Sequence, residues 1–151
     1  MYKTLLLVMI AAMTAGMSFA QKVKLKDDKV FVNGNQILTY EKMSVLEYSF
    51  YSLDDEEEVI LYQYHHNETR DYSGDDYFII NFLEQDVKVE STAFNNIVKG
   101  MGMNSRKDME KLIKWLVKNK VLDEDGTIEP KRVERFHDKY HENIRKRTVR
   151  Y

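Results

Sequence analysis

The sequence has no cysteine among its 151 residues. The chain therefore forms no disulfide, offers no thiolate to a metal and has no thiol for nucleophilic catalysis. It also lacks a nucleophile elbow and a glycine-rich phosphate loop, and no serine stands in a persuasive Ser/His/Asp set. Beyond residue 20 no apolar run is long enough to span a membrane as a helix. The common motifs of thiol, acyl-transfer and phosphate chemistry are thus missing.

The longest apolar stretch stands at the start of the chain. Lys3 supplies a positive charge, residues 5–12 are uninterruptedly apolar, and Ser18-Phe19-Ala20 provides the small residues that a signal peptidase needs. An uncleaved anchor is the alternative, but the uncharged stretch 4–20 has 17 residues, at the short limit for a bilayer span. The pattern predicts a signal peptide at residues 1–20 and export to the periplasm or beyond.

Removal of the predicted leader leaves residues 21–151, a length typical of one domain. A domain of this size buries about two-thirds of its unfolded surface, so it holds together without disulfides. The hydrophobic pattern divides it into a β-sheet part, residues 21–92, and a helical part, residues 104–146.

Two aromatic-rich runs, residues 45–53 and 58–65, form the predicted centre of the sheet. Their valine, isoleucine, tyrosine and phenylalanine favour strands, and the acidic residues 54–57 between them indicate a hairpin turn. The first run alternates apolar and polar side chains, as a strand with one wet face does. The second is apolar on both faces for most of its length, which predicts a strand flanked on both sides and covered on its second face.

Further strands are predicted on either side of this hairpin. Residues 22–26 alternate lysine with valine or leucine, which predicts an edge strand, because charge discourages pairing with foreign strands. Asn33-Gly34 predicts a hairpin turn, since both residues tolerate positive φ. Residues 77–83 and 87–91 alternate again. This order predicts an antiparallel meander of about six or seven strands.

Helical periodicity replaces this alternation after the strands. Ser105 and Asp108 match a capping box, and Pro130 suits the first turn of a second helix. The apolar positions are Met109, Leu112, Ile113, Leu116 and Val117 in the first helix, and Val133, Phe136, Tyr140 and Ile144 in the second. Two such stripes predict a helical hairpin packed on one face of the sheet, and hence an α+β fold.

Charge is divided unevenly along the chain. Residues 21–95 carry 7 lysines or arginines against 16 aspartates or glutamates, whereas residues 96–151 carry 15 against 9. Such asymmetry marks either an anion-binding C-terminal part or two halves that attract each other. The second interpretation is favoured, because charged residues are the usual covering of a solvated surface.

A basic helical face is the first candidate binding surface. Four lysines fall on one side of the first predicted helix, and arginines near the start of the second could extend them. The residues are Lys107, Lys111, Lys114, Lys118, Arg132 and Arg135. Such a surface attracts phosphate-bearing glycans, lipid headgroups or nucleic acid. Acidic neighbours on both helices favour an ordinary solvated face, and export argues against a genomic DNA partner.

Histidines on the second helix are the weak candidates for a metal. His137 and His141 stand four residues apart with Asp138 between them, a distorted form of the zinc protease motif, which requires a glutamate one methylene longer. Packing at the border of the apolar stripe is the favoured interpretation. A metal shared with His65 or His66 requires the helix to pack beside that strand end.

Acidic clusters offer two further cation candidates. Residues 123–128 resemble the middle of an EF-hand loop, but Val121 and Arg132 stand where oxygen ligands are needed, so a tight Asp-Gly turn is predicted instead. The acidic residues 54–57 together with nearby loop acids could collect a divalent cation, although a charged hairpin tip is the commoner arrangement. The loop acids are Asp71, Asp75 and Asp76.

Several segments follow one another in a familiar order. They are the leader ending in Ala20-Gln21, residues 29–34 (KVFVNG), residues 77–83 (YFIINFL), residues 121–126 (VLDEDG), and Pro130 with Phe136. In this order they resemble the small, uncharacterised, signal-peptide-bearing exported proteins of Bacteroidetes-type bacteria. The resemblance spans most of the chain. Because its motifs are structural, it implies export and no particular activity.

Together these patterns predict a non-enzymatic binding or accessory module at the cell envelope that needs no cofactor. Its partner would be a protein or an envelope component, contacted through the exposed aromatic edge of the sheet or the basic helical face. One alternative is a metal-dependent enzyme that uses His137 and His141. The other is an inhibitor or toxin-like partner of another exported protein.

Overall fold

The computed structural model describes residues 20–65, 76–93 and 105–144. Within them the strands are β1 (Val23–Lys26), β2 (Lys29–Val32), β3 (Asn35–Lys42), β4 (Glu47–Tyr51), β5 (Glu58–His65), β6 (Tyr77–Phe82) and β7 (Val87–Ser91), followed by the helices α1 (Ser105–Lys118) and α2 (Pro130–Tyr140). Nearly all of the predicted leader lies outside the described residues, as do His66, Asp71 and Asp75. No helix within the described ranges is long and apolar enough to cross a membrane.

The strands form one antiparallel sheet in the order of the sequence, β1 to β7. Two tight turns set this order at its start: Asp27-Asp28 has φ of 51° and 58°, and Asn33-Gly34 has φ of 52° and 87°. Positive φ at both central residues matches the twist of the flanking strands, so each turn folds the chain back on itself. The predicted meander is confirmed, with β1 at one edge and β5 between β4 and β6.

One face of the sheet carries the main hydrophobic core. In β4, Tyr48 and Phe50 are buried on this face, while the intervening Ser49 belongs to the other. The register sets Tyr48 opposite Tyr62 and Phe50 opposite Ile60. Large side chains from neighbouring strands therefore form a continuous apolar surface, which the two helices cover.

The helices meet each other above β6. The ring of Trp115 in α1 lies 5.9 Å from that of Phe78 in the sheet, and 4.7 Å from the rings of both Phe136 and Tyr140 in α2. Phe136 also makes an edge contact with Phe82, at 6.2 Å. These contacts confirm the predicted helical hairpin on one face. Of the strands, α1 lies closest to β1 and α2 to β7.

The turn between the helices requires a glycine. Gly126 has φ of +94°, and a Cβ at this position would collide with the carbonyl oxygen of Ile37 in β3. Its N–H donates to the carbonyl of Asp123 at 3.0 Å, and the side chain of Asp125 accepts from the Thr127 N–H at 2.9 Å. The predicted tight Asp-Gly turn is confirmed, and it packs directly on the sheet.

The second helix is shorter than the sequence predicts. A continuous stripe from Val133 to Ile144 is wrong, because α2 ends at Tyr140 and His141 has extended backbone, with φ of −68° and ψ of 130°. Ile144 is buried with Tyr77 and Ile79, apart from the main core. It therefore contributes to a small second cluster rather than to the apolar face of the helix.

Hydrogen bonds to β7 explain why the helix stops there. The N–H of Glu142 donates to the carbonyl of Glu90 at 2.7 Å. The Glu142 carboxylate accepts from the Ser91 hydroxyl at 3.1 Å, the Thr92 N–H at 2.7 Å and the Thr92 hydroxyl at 2.9 Å. The carboxylate therefore accepts three charge-assisted bonds, the stronger kind, just beyond the residue at which the helix ends.

Candidate anion-binding groove

The backbone of β1 presents alternate residues to the outer edge of the sheet. The two-residue turn at Asp27-Asp28 is flanked by one residue of β1 and one of β2, and these two residues hydrogen-bond to each other. Further along the two strands, the N–H of Asn33 donates to the Lys22 carbonyl at 2.8 Å. The ladder therefore uses the even-numbered residues of β1. The N–H and C=O groups of Val23 and Leu25 point away from β2, toward the edge.

A glutamate from α1 meets this edge. The Oε1 atom of Glu110 accepts a hydrogen bond from the Leu25 N–H at 3.0 Å, which confirms the outward direction of that group. Next to this contact a groove of about 510 Å³ runs between α1 and the strand. Its lining residues are Ala20, Gln21, Lys22 and Val23 on the strand side, and Lys107, Glu110, Lys111 and Lys114 on the helix side.

The groove is positively charged. Four of its described lining residues are lysines, against one glutamate, and the carboxylate of that glutamate is hydrogen-bonded to the backbone of β1. Lys111 also lies 3.8 Å from the carboxylate of Asp108, with about half of the lysine side chain exposed, so solvent weakens this pair. Burial raises the pKa of Asp108, and Lys111 partly opposes that shift.

A second lysine-lined concavity lies on the opposite side of β1. Its volume is about 330 Å³, and the half-buried Phe31 is among the residues that line it. The lining residues are Lys22, Lys24, Lys26, Phe31, Asn33 and Gly34. Lys22 borders both concavities, so β1 forms a ridge with lysines on each side. The alternation of residues 22–26 predicted the strand, but it did not show that these lysines would lie beside those of α1.

The basic surface predicted from the helices is only partly assembled. Lys107, Lys111 and Lys114 share the groove, whereas Lys118, further along the same helix, is exposed outside it. Arg132 and Arg135 lie on α2 and line neither of the two concavities beside β1. The lysines of α1 are thus joined by residues of β1 rather than by the arginines of α2.

The paired histidines pack against each other at the end of α2. The rings of His137 and His141 stack with centroids 4.4 Å apart. Nδ1 of His141 accepts from the Glu90 N–H at 3.1 Å, and its Nε2 lies 3.3 Å from the Asn143 side-chain oxygen. A neutral imidazole that accepts a hydrogen bond at Nδ1 carries its proton on Nε2. With this arrangement, neither nitrogen of His141 retains a lone pair for a metal.

The other predicted ligands are also dispersed. His65 stacks on the Tyr77 ring at 4.7 Å, and Asp76 accepts a hydrogen bond from the Tyr64 hydroxyl at 3.1 Å. Burial, reinforced by Asp76, raises the pKa of Tyr64. In the part of the chain that the structure describes, no three histidine or acidic side chains gather into a possible metal site.

Carboxylates of the two acidic turns accept hydrogen bonds from other residues of the protein. At the β4–β5 tip, Asp55 accepts from the Ser52 hydroxyl and from the Glu57 N–H, and the Ser52 bond is the main cause that lowers the Asp55 pKa. In the turn between the helices, Glu124 accepts from the side-chain amides of Asn33 at 3.2 Å and Gln21 at 3.3 Å. This second turn therefore supports the end of β1 beside the groove.

Comparisons with protein-family models, curated proteins and solved structures found no match to this chain. The geometry of the described residues is accordingly the basis on which its function is proposed.

Proposed function

We propose that the protein is an exported, non-enzymatic binding module of the cell envelope, and that it binds an anionic partner in the groove between β1 and α1. One observation carries the binding proposal. Three lysines of α1 and Lys22, which directly precedes β1, line one groove. Among its described lining residues the one carboxylate is that of Glu110, which accepts a hydrogen bond from the Leu25 N–H. Like charges that converge on a concave surface raise the local concentration of opposite charge.

The partner must carry several negative charges along its length. Lys107, Lys111 and Lys114 are all exposed, and a single exposed ion pair contributes only about 0 to 1 kcal/mol. Useful affinity therefore needs several lysines to act together. Such binding weakens steeply as salt is added, because exposed charges are screened over about 10 Å at 0.1 M ionic strength.

Export is supported by the leader pattern at residues 1–20. The mass of the protein purified from the exported fraction of its own cells tests this part. We expect a chain that starts at Gln21. A mass that includes residues 1–20, or a protein found only inside the cell, would contradict it.

The binding proposal is tested with a matched pair of double variants. The groove variant is Lys111→Gln with Lys114→Gln, and its control is Lys118→Gln with Lys120→Gln, which removes the same charge outside the groove. Labelled polyglutamate and inorganic polyphosphate serve as probes, and binding is measured by fluorescence anisotropy at several salt concentrations. We expect the groove variant to weaken binding of at least one probe by about tenfold, and the control by less than about twofold.

A substitution that removes the negative charge from the groove should have the opposite effect on binding. Glu110→Gln keeps an acceptor for the Leu25 N–H but removes the negative charge from the groove, so we expect tighter binding. Equal losses in the two double variants would show that only net charge matters. That result, or no binding of either probe at low salt, would overturn the proposal.

A further inference from the structure

The strand wall of the groove carries backbone groups that can pair with another strand. The ladder alternation directs the N–H and C=O of Val23 away from β2, and the same alternation, continued by one step, directs the C=O of Gln21 outward. In a chain that starts at Gln21, the nitrogen of that residue is the terminal α-amino group. Both residues line the groove. In the described part of the chain no other strand pairs with this side of β1.

The contact made by Glu110 shows how a backbone N–H on this edge finds a hydrogen-bond partner where α1 covers the edge. Its carboxylate oxygen lies 3.0 Å from the Leu25 nitrogen, in the place that the carbonyl of a neighbouring strand would take. The groove begins beyond this contact. The edge available to a partner is therefore the short stretch of Gln21 and Val23, next to the lysines of α1.

We propose that the groove receives an extended acidic polypeptide segment, which binds as an additional strand beside β1. Its backbone hydrogen-bonds to Gln21 and Val23, and its carboxylates meet the lysines on both sides of β1. This inference rests on the proposed function and names the class of partner. Addition of a strand to a sheet edge is a general mode of peptide recognition in which backbone bonds supply affinity and side-chain contacts supply specificity.

The two concavities explain why an acidic segment fits. Side chains of an added strand alternate between the two faces of the sheet. On one face they meet Lys107, Lys111 and Lys114, and on the other they meet Lys22 and Lys24. Lysines at a sheet edge repel basic strands and disfavour apolar ones, so the same residues select an acid-rich strand.

A substitution at Val23 separates strand addition from simple charge attraction. Val23→Pro removes the N–H that faces the groove but leaves the β1–β2 ladder bonds, which are made by the even-numbered residues. Val23→Ala is the control, because it shortens the same side chain and keeps the N–H. We expect Val23→Pro to weaken binding of a blocked, glutamate-rich peptide by about tenfold, Val23→Ala by less than about threefold, and neither to change the binding of polyphosphate.

Amide hydrogen exchange in the wild-type chain tests the same contact without a substitution. We expect the saturating peptide to slow exchange at the Val23 N–H by about tenfold or more, and polyphosphate to leave it unchanged. Protection that grows with protein concentration alone would assign the edge to a second copy of the chain, and would overturn the choice of partner.

The outcomes distinguish the two proposals. If the peptide binds and the groove lysines matter, but Val23 is not protected and Val23→Pro binds normally, strand addition is wrong and the anion-binding groove stands. If polyphosphate binds more tightly than the peptide, the partner class is wrong. If neither probe binds, both proposals fail.

Discussion

The two edges of the sheet satisfy their backbone groups in different ways. At β7 both outward groups of Glu90 have partners from residues that follow α2: its N–H donates to His141, and its C=O accepts from Glu142. At β1, within the described ranges, one side-chain contact, from Glu110 to Leu25, covers part of the edge. The residues that follow α2 thus cover the edge of β7, whereas lysines lie beside the edge of β1.

The cover at β7 also crosses the sheet. Residues 141–144 leave α2 on the helix-covered face, pass the edge of β7, and bring Ile144 onto Tyr77 and Ile79. An edge that is both hydrogen-bonded and packed cannot accept a foreign strand. Among the residues that the structure describes, β1 therefore has the less covered edge of the two, and this is the edge at which we propose that a partner strand binds.

The largest effect on stability is expected from a substitution that removes the support of the β1 edge. Gly126→Ala would force a Cβ into the Ile37 carbonyl at a φ of +94°, and so displace the turn in which Glu124 holds Gln21 and Asn33. We expect the free energy of unfolding to fall by about 3 kcal/mol or more, since a steric clash is added to backbone strain. Urea unfolding followed by circular dichroism measures the loss.

Gly34→Ala is the matched control for this prediction. Gly34 has a similar φ of +87°, but no atom lies within 4 Å of the position a Cβ would take. Only the conformational cost remains, about 1–2 kcal/mol. Equal losses at the two glycines would show that the contact of the turn with β3 does not matter.

A smaller effect is expected from uncovering the β7 edge. Glu142→Ala removes the acceptor of three hydrogen bonds from Ser91 and Thr92. We expect the free energy of unfolding to fall by about 2–3 kcal/mol and the Glu90 amide to exchange faster, because bonds to a charged acceptor are worth more than neutral ones. Chemical unfolding and hydrogen exchange provide the measurements.

Glu134→Ala serves as the comparison for Glu142→Ala. Glu134 is exposed on α2, so its removal should change stability by less than about 0.5 kcal/mol. If Glu142→Ala were as mild, the residues after α2 would not hold the edge of β7.

The smallest effect is expected in the dependence of stability on pH. Hydrogen bonds from Thr127, that of its backbone N–H first, lower the pKa of Asp125 in the folded chain. The ionised carboxylate therefore stabilises the fold above the ordinary aspartate pKa, and this contribution is lost as pH falls through the lowered folded pKa. In Asp125→Asn we expect stability to be slightly lower at neutral pH and to decline less steeply below about pH 4. Parallel pH curves for wild type and variant would contradict this, and Asp138→Asn, at an exposed position on α2, controls for the lost charge.

Most of the sheet was predictable because its signals are local. The alternation at residues 22–26 predicted β1, Asn33-Gly34 predicted a turn through its tolerance of positive φ, and the apolar run at 58–65 predicted an internal strand. Helix α2 was predicted too long for a physical reason. Ile144 continues the spacing of the apolar stripe, and periodicity carries no information about the bonds that Glu142 finds on β7.

The candidate site was predictable only in part. Helical spacing placed Lys107, Lys111 and Lys114 on one face, but it joined them to arginines of α2 because that helix comes next in the chain. The structure joins them to β1 instead. A hydrogen bond in this arrangement, from Leu25 to Glu110, links residues 85 positions apart. No local pattern encodes such a distance.

By itself the sequence determined which side chains share a face, because the periods of strands and helices depend only on neighbouring residues. It also determined where the first two hairpins turn. Only the tertiary structure decided which faces meet: α1 over β1, and residues 141–144 across β7. Those choices depend on how the whole core packs, and they leave one edge of the sheet covered and the other lined by lysines.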